Sequence, residues 1–287
     1  MKSAKVVIQL VVLTLFFSGC TSTNALLWEV NHETLQKPSY LFGTIHLIPE
    51  SRFELTGVAE NALRSCDRLL LEVNSTDPNV KREQIAAMVM LDGTTLKELL
   101  GELYDNIAEA YKDSFDIDLA QFNRINPYFI SMMVSEKMLK EPSTSYEAML
   151  LKKAFEHRMG VEGLETVADH VDLLSEYSME DMIEELLTAP VNLNEQRLIM
   201  HEIIDLYLKE ELQELYNRMK EEEDESDKYY SLIVEGRNMK WIPKIIRHMN
   251  TESTFIAVGA AHLPGELGLI QLLRKSGYSV TPLPSSK

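Results

Sequence analysis

Residues 40-YLFGTIHLIPE-50 and 255-FIAVGAAHLPGE-266 decide the fold, because each stretch ends an apolar, β-prone run in the same way. In both, a Gly-x-x-His unit leads to a proline and an acidic residue. The histidines, His46 and His262, lie near opposite ends of the chain, so no local helix or hairpin accounts for the likeness. If the two runs are strands of one sheet, both imidazoles emerge at strand ends, where open α/β sheets place their binding sites.

The rest of the chain supplies further strands at both ends and helices between them. Apolar runs bounded by turns predict strands over residues 26–30, 39–46, 68–73, 254–262 and 278–283. The first two flank a polar turn and predict a hairpin, and residues 265–277 predict a helix that ends at Gly277. The segment from about residue 80 to residue 250 is mostly helical in period. We therefore expect one α/β domain over residues 27–287, with a mixed sheet formed by N- and C-terminal strands and a large helical insertion.

The start of the chain has the order of a secretory signal. Two lysines precede an apolar run, Val6–Phe17, which is too short to span a bilayer comfortably, and small residues follow it. The FSGC ending resembles the lipobox of bacterial lipoproteins, which predicts a signal peptide over residues 1–19, lipidation of Cys20 and a tether over residues 20–26. The expected location is the bacterial cell envelope, anchored to the membrane by lipid and outside the cytoplasm. An ordinary signal peptide with a coincidental cysteine is the alternative.

Composition excludes several other classes of protein. The formal net charge of −17 repels nucleic acid and anionic headgroups, so no nucleic-acid partner and no basic membrane patch are expected. After Cys20 the chain contains Cys66 alone, which rules out an internal disulfide. Cys66 shares a helical face with Ala62 and Leu63, so we expect a small packing residue and not a nucleophile.

Three further segments extend the pattern set by the two Gly-x-x-His units. They read LLLEVN at residues 69–74, VEGLET at residues 161–166 and EGRNMKWIPKI at residues 235–245. In this order the five segments resemble the TraB/GumN family, which includes TraB-type pheromone-shutdown proteins and the animal TIKI metalloproteases. The likeness runs from Leu27 to about Leu283. It implies a fold like those of erythromycin esterase and the ChaN haem-binding proteins, and divalent-metal-dependent hydrolysis of peptides.

The resemblance carries over to individual residues. It implies a metal site formed by His46, His262 and Glu72, with Gly43 and Gly259 as the motif glycines. Glu165 is the alternative carboxylate that could complete the site. Manganese or cobalt is the ion that the resemblance implies. Imidazole nitrogens and carboxylate oxygens together also suit zinc or iron.

The resemblance further implies catalytic roles for Glu72, Glu165, Arg237 and Asn238. Near a bound ion that activates water, a glutamate can shuttle the proton and an arginine can stabilise the developing oxyanion. One position departs from the family pattern. Many relatives have Gly-hydrophobic-Asp where this chain has Ser-Tyr-Glu, which leaves open what Glu147 does.

Each candidate also has a structural interpretation. A strand-end histidine commonly makes hydrogen bonds within the fold, and Glu72 follows a buried run in which it could pair with Arg237. Glu165 could cap the helix that begins near Val167, and Arg237 and Asn238 could face solvent. The sequence contains neither a His-Glu-x-x-His motif nor a Gly-x-Ser-x-Gly motif.

Three functions are therefore open. The first is a membrane-anchored, metal-dependent hydrolase that acts on peptides or proteins outside the cytoplasm. The second is a non-catalytic protein that sequesters a peptide signal. The third is a haem or iron carrier, which rests on the ChaN likeness of the fold; the Met and Tyr residues of the helical segment favour core packing over haem ligation.

We predict that Cys20→Ala leaves the precursor unprocessed and abolishes incorporation of a fatty-acid analogue in a bacterial host. The reason is that lipoprotein processing requires the thiol at this position. Cys66→Ala is the matched control and should be labelled like the wild type. Full labelling of the Cys20→Ala protein would rule out the lipid anchor.

Overall fold

The computed structural model describes residues 24–90, 92–174, 178–222 and 231–285. The expected signal peptide, Cys20 and the first residues of the tether lie outside the described residues. Within those ranges, no helix combines the length and the apolar character needed to cross a membrane.

The strands are short and lie mainly near the two ends of the described chain. Their bounds are β1 Leu27–Asn31, β2 Ser39–Thr44, β3 Ile48–Pro49, β4 Arg68–Leu71, β5 Ser143–Thr144, β6 Gly160–Gly163, β7 Thr254–Gly259 and β8 Ser279–Pro282. The helices are α1 Gly57–Ser65, α2 Pro78–Ala87, α3 Leu96–Leu100, α4 Tyr104–Phe115, α5 Pro127–Met138, α6 Tyr146–Glu156, α7 Val167–Leu174, α8 Met179–Thr188, α9 Leu193–Leu208, α10 Leu212–Glu222, α11 Arg237–Met249 and α12 Leu269–Lys275. A π-helical segment, Ser231–Gly236, leads directly into α11.

Among the described residues, six strands form a mixed sheet in the order β6-β4-β7-β2-β1-β8. Strands β6, β4, β7 and β2 are parallel, whereas β1 is antiparallel to both of its neighbours, β2 and β8. The expected hairpin of β1 and β2 and the joining of N- and C-terminal strands in one sheet are confirmed. The carboxyl ends of β6, β4, β7 and β2 consequently meet at the same edge.

The central strands are buried because their sequences are continuous apolar runs. Every residue of Leu69–Leu71 and of Phe255–Val258 is buried, as parallel strands covered on both faces require. Helices α1, α6 and α11 pack against these strands. Cys66 lies in the same core, where its thiol is 3.5 Å from the Ser253 hydroxyl and burial raises its pKa to about 11. The expectation that Cys66 is a packing residue is confirmed.

The helical segment has a hydrophobic cluster of its own. Residues of α3, α4, α5 and α8 pack together around Tyr111, Ile130 and Leu186. The sequence of residues 157–166 predicts a short strand between two helical stretches, and the structure confirms it: β6 joins the main sheet as an edge strand beside β4. The helices therefore fall into one group before β6 and another after it.

Several predicted elements are shorter than expected. Strand β2 ends at Thr44 and β4 at Leu71, so His46 and Glu72 follow their strands and are not in them. Strand β7 ends at Gly259, and Ala260–His262 form a 3₁₀ turn, so His262 is not in the strand.

Helix α12 begins at Leu269 because Gly268, which precedes it, is extended (φ −71°, ψ 152°), and Gly265 has a φ of 89°, which a right-handed helix does not contain. Gly277, with a φ of 92°, follows the end of the helix as expected.

We predict that Gly163→Ala destabilises the protein by about 1–3 kcal/mol, the usual range for overpacking. A Cβ at Gly163 would lie 2.8 Å from the backbone nitrogen of Asn74 and 3.1 Å from the carbonyl oxygen of Glu165, so the segments after β4 and β6 must move apart. Urea denaturation measures the change in the free energy of unfolding.

Gly57→Ala is the matched control, since Gly57 begins α1 and a Cβ there meets nothing within 4 Å. It should leave stability unchanged or raise it by about 0.4–1 kcal/mol. Equal effects of the two substitutions would show that the β4 and β6 ends are not tightly packed.

Candidate active site

The candidate site lies where the parallel strands end. His46 comes shortly after β2, Glu72 directly after β4, Glu165 shortly after β6, and His262 at the end of the turn after β7. Strands β2 and β7 are neighbours, but Thr44 and not Gly43 is opposite Gly259. The two Gly-x-x-His units are therefore one residue out of register and give their histidines different surroundings.

Gly259 keeps the centre of the site open. A Cβ on this residue would lie 3.4 Å from Oε1 of Glu72, 3.6 Å from Nε2 of His46 and 3.6 Å from Cδ2 of His262. Its backbone N–H donates to Oε1 of Glu72 at 2.8 Å. Gly43 is needed for a different reason. A Cβ on this residue would lie 3.1 Å from Cα of Ala260, too close for ordinary packing. Gly43 thus allows β2 to approach the turn that carries His262.

Arg237 connects the two buried glutamates. Its Nη2 donates to Glu72 Oε2 at 2.5 Å and to Glu165 Oε1 at 2.7 Å, while its Nε donates to Glu165 Oε2 at 3.1 Å. The guanidinium also lies over the ring of Trp241, 4.5 Å from the centroid, and the Trp241 indole donates to Glu165 at 3.2 Å. Burial alone would lower the pKa of Arg237, but Glu72 and Glu165 raise it, so it is permanently charged.

Glu72 is held in its ionised form. Burial would raise the pKa of this carboxyl group, but His262, Arg237 and His46 hold it well below its usual range. Because Arg237 engages Oε2, the other oxygen, Oε1, faces the two histidines.

His262 is buried and neutral. Burial, opposed by the charge of Glu72, lowers its pKa to about 4. The Asn238 amide nitrogen donates to the carbonyl oxygens of His262 and Leu267, which leaves Oδ1 of Asn238 to accept from Nδ1 of His262 at 2.8 Å. The proton is therefore on Nδ1. The lone pair on Nε2 points into the site, 3.3 Å from Nη1 of Arg237 and 3.8 Å from Oε1 of Glu72.

His46 is exposed and charged. Its Nδ1 lies 2.9 Å from Oε1 of Glu147, and its Nε2 lies 3.9 Å from Oε1 of Glu72. Desolvation by neighbouring groups lowers the pKa of His46, but the hydrogen bond to Glu147 and the charges of Glu147 and Glu72 raise it to about 9. The Thr44 hydroxyl fixes Glu147 by donating to the same Oε1 at 2.5 Å. The second oxygen of Glu147, Oε2, is buried without a hydrogen-bond partner among the described residues.

A cavity of about 340 Å³ opens above these groups. His46, Glu72, Arg237 and His262 form its polar floor, and most of the other described lining residues are apolar: Ile45, Leu173, Ile203, Leu215, Met219, Ile233, Val234, Ala260 and Ala261. Glu165 and Asn238 are not among the described residues that line the cavity. They contact Arg237 and His262 from behind.

Comparison with known proteins places this chain in a family. The model of the TraB/PrgY/gumN family matches residues 26–282, nearly all of the described chain. The chain belongs to the TraB/PrgY/gumN family. It is also 21% identical, over 327 residues, to a protein named Metalloprotease TIKI homolog from Amphimedon queenslandica. That match covers 93% of this chain and 63% of the relative, so the chain spans less than two thirds of the relative's length. No solved structure matches the chain significantly.

The name of that relative implies that it uses a metal, and the donor atoms of this TraB/PrgY/gumN chain are of the kinds that bind metal ions. Two imidazole Nε2 atoms and Oε1 of Glu72 converge on the space that Gly259 leaves open. As they stand, however, the described residues include no group of three His, Cys, Asp or Glu side chains arranged to hold a metal ion. Metal binding at His46, His262 and Glu72 therefore remains a prediction.

The structure brings all of the predicted site residues together and assigns them different positions. Arg237 and Asn238 are buried, so the interpretation that they face solvent is wrong. Thr166, not Glu165, caps α7, since its hydroxyl accepts from the backbone N–H of Asp169 at 3.1 Å. The pairing of Glu72 with Arg237 is present. It coexists with the contacts of Glu72 to the histidines.

Sequence reasoning missed Trp241 and left Glu147 undecided. Trp241 lies one helical turn after Arg237 and Asn238, on the buried face of α11, and this spacing could have identified it. Its ring packs 4.6 Å from the ring of His262, centroid to centroid. Glu147 comes from the first turn of α6, and only the fold places it beside His46.

We predict that Glu147→Gln lowers the pKa of His46 from about 9 towards its ordinary value of about 6.5, because the carboxylate is removed. Titration of the His46 ring by NMR in chelator-treated protein measures the change. Glu156→Gln, an exposed position on the same helix, is the control.

The same change alters the dependence of stability on pH. Since the folded-state pKa of His46 is raised, its stabilisation is full below about pH 6.5 and is lost as the pH rises through about 9. Wild type should lose more stability over this interval than Glu147→Gln does. Parallel stability curves would show that Glu147 does not govern the charge of His46.

Proposed function

We propose that this protein is a metal-dependent hydrolase that cleaves peptides or proteins outside the cytoplasm, held at the bacterial cell envelope by lipidated Cys20. The observation that carries the proposal is the convergence of His46, His262 and Glu72 around Gly259, beneath a cavity and beside Arg237. Similarity to a protein named as a metalloprotease supports the reaction class. Similarity of the fold to erythromycin esterase and ChaN stays an expectation from the family.

In this proposal His46, His262 and Glu72 hold the ion, with manganese or cobalt preferred and zinc or iron possible. A divalent ion there supplies Lewis acidity and activation of water at neutral pH. Loading would require His46 to give up its proton, because only a neutral imidazole is a ligand.

The remaining residues position those ligands. Arg237 orients Glu72 by binding its Oε2 and offers positive charge for an oxyanion that develops in the cavity. Asn238 fixes the tautomer of His262, and Glu147 orients His46 through Nδ1. Glu165 acts through Arg237, because its carboxylate accepts hydrogen bonds from Nε and Nη2 of the guanidinium and does not line the cavity.

Sequestration of a peptide without cleavage is a second candidate. It is favoured by the guanidinium of Arg237, a permanent cation that contacts both Glu72 and His262 where an ion would bind. Tight peptide binding that survives chelation, without any product, would support this candidate. A haem absorption band on purification would instead support a carrier.

We predict that manganese or cobalt raises the melting temperature of the wild type. At an ion concentration a hundred times Kd, binding to the folded state alone should raise the free energy of unfolding by about 2.7 kcal/mol. His46→Ala and His262→Ala should each lose most of this gain, and the double variant should be little worse than either, because both rings act on one ion. Differential scanning calorimetry with and without the ion measures all four proteins.

His157→Ala is the matched control, because His157 is an exposed histidine at the C-terminal end of α6, the opposite end from Glu147. This variant should keep the full gain. Peptide hydrolysis should be lost on chelation and restored by the ion. An absent gain in the wild type, or losses that simply add, would mean that the histidines are structural.

A further inference from the structure

A second apolar cavity lies on the other side of His46. It measures about 530 Å³, and His46, Ile45 and Ile203 line both this cavity and the first one. Its other described walls come mainly from α5 and α9: Val134, Met138, Ile199, Met200 and Ile204. The exposed ring of His46 therefore lies between two cavities, not at the closed end of one.

One face of α9 forms a continuous wall along both cavities. Gln196, Ile199 and Met200 border the second cavity, Ile203 borders both, and Tyr207 borders the first. The spacing of these residues is that of a single helical face. From Gln196 to Tyr207 this face is about 16 Å long at ~1.5 Å per residue, which matches about five residues of extended chain at ~3.3–3.6 Å each.

The charged residues that line the two cavities restrict the kinds of ligand that can bind in them. Arg237 in the first cavity is already engaged by Glu72 and Glu165. The charged ring of His46, which lines both cavities, is engaged by Glu147. The described lining of the second cavity contains Glu185, which accepts a hydrogen bond from Ser131 at 3.1 Å, and contains no lysine or arginine. Neither cavity offers an uncommitted cation to an acidic side chain, a phosphate or a fatty-acid carboxylate.

We propose, on the basis of the hydrolytic function above, that the substrate is an extended peptide that crosses the site, with apolar side chains in both cavities. The bond is cut within the chain and not at a free terminus, because the groove continues on both sides of His46. In this hydrolysis the C–N bond breaks, the carbonyl carbon gains the hydroxyl of water, and the leaving nitrogen gains the remaining hydrogen.

The test uses ten-residue peptides that are acetylated and amidated at their ends and carry a fluorophore and quencher. The residues on both sides of the central bond are leucine or phenylalanine in the first peptide, serine in the second and glutamate in the third. A fourth peptide has the apolar sequence of the first but free ends. Product formation gives kcat/KM, and fluorescence polarisation of quencher-free peptides gives binding. The blocked apolar peptide should exceed the serine and glutamate peptides at least tenfold in both measurements.

Matched variants separate the two cavities. Ile199→Trp fills the second cavity and Met219→Trp the first, and each should reduce binding and cleavage of the apolar peptide about tenfold or more. Leu198→Trp, next to Ile199 but 72% exposed, should change neither. Melting curves check that each variant is folded, and the wild-type peptide profile tests the inference without any variant.

Different results overturn different statements. Binding of the blocked apolar peptide without cleavage supports the groove and contradicts the hydrolytic function. Cleavage without a preference for apolar residues, or restricted to free ends, supports the function and overturns the inference. A peptide set that is neither bound nor cleaved contradicts both.

Discussion

The ion pairs of Arg237 hold the site together. Removing a charged group from water costs several kcal/mol, and a buried pair offsets that cost only when its geometry is good and its remaining donors are satisfied. Arg237 meets these conditions, since its fork binds Glu165 through two nitrogens, Glu72 through one and the Ile233 carbonyl through another. These contacts fasten α11 to the ends of β4 and β6. A lysine could not span both carboxylates in this way.

The same interaction divides the chemistry of the site. Because Arg237 takes one oxygen of Glu72, the other is directed at both imidazoles, yet the imidazoles differ in charge. His262 is enclosed and bound by a neutral amide, so its ring stays neutral, whereas His46 is open to the cavities and bound by the carboxylate of Glu147. Two copies of one motif thus provide one neutral ring and one charged ring, because their surroundings move the two pKa values apart.

Much of this arrangement could be predicted from sequence. The apolar runs at both ends predicted strands of one sheet, and the strand-end motifs predicted that His46 and His262 lie together, because parallel strands bring their carboxyl ends to one edge. Glu72 and Glu165 were implied by the resemblance to the family. Glu147 could not be assigned, since its position depends on how α6 packs and not on local spacing. The different environments of the two histidines depend on a one-residue offset between β2 and β7, which no pattern in either strand encodes.

The one-residue offset explains why the two Gly-x-x-His motifs place their histidines in different environments. Gly259 ends its strand, so the chain turns at once through Ala260 and folds the ring of His262 under α11, against Trp241. Gly43 lies one step earlier in its strand, so the chain continues extended and His46 emerges at the surface between the cavities. A ring fixed in the core can hold a group in place but cannot move to meet a substrate. The ring of His46 instead borders both cavities, so it is the histidine whose surroundings would change if a ligand filled them.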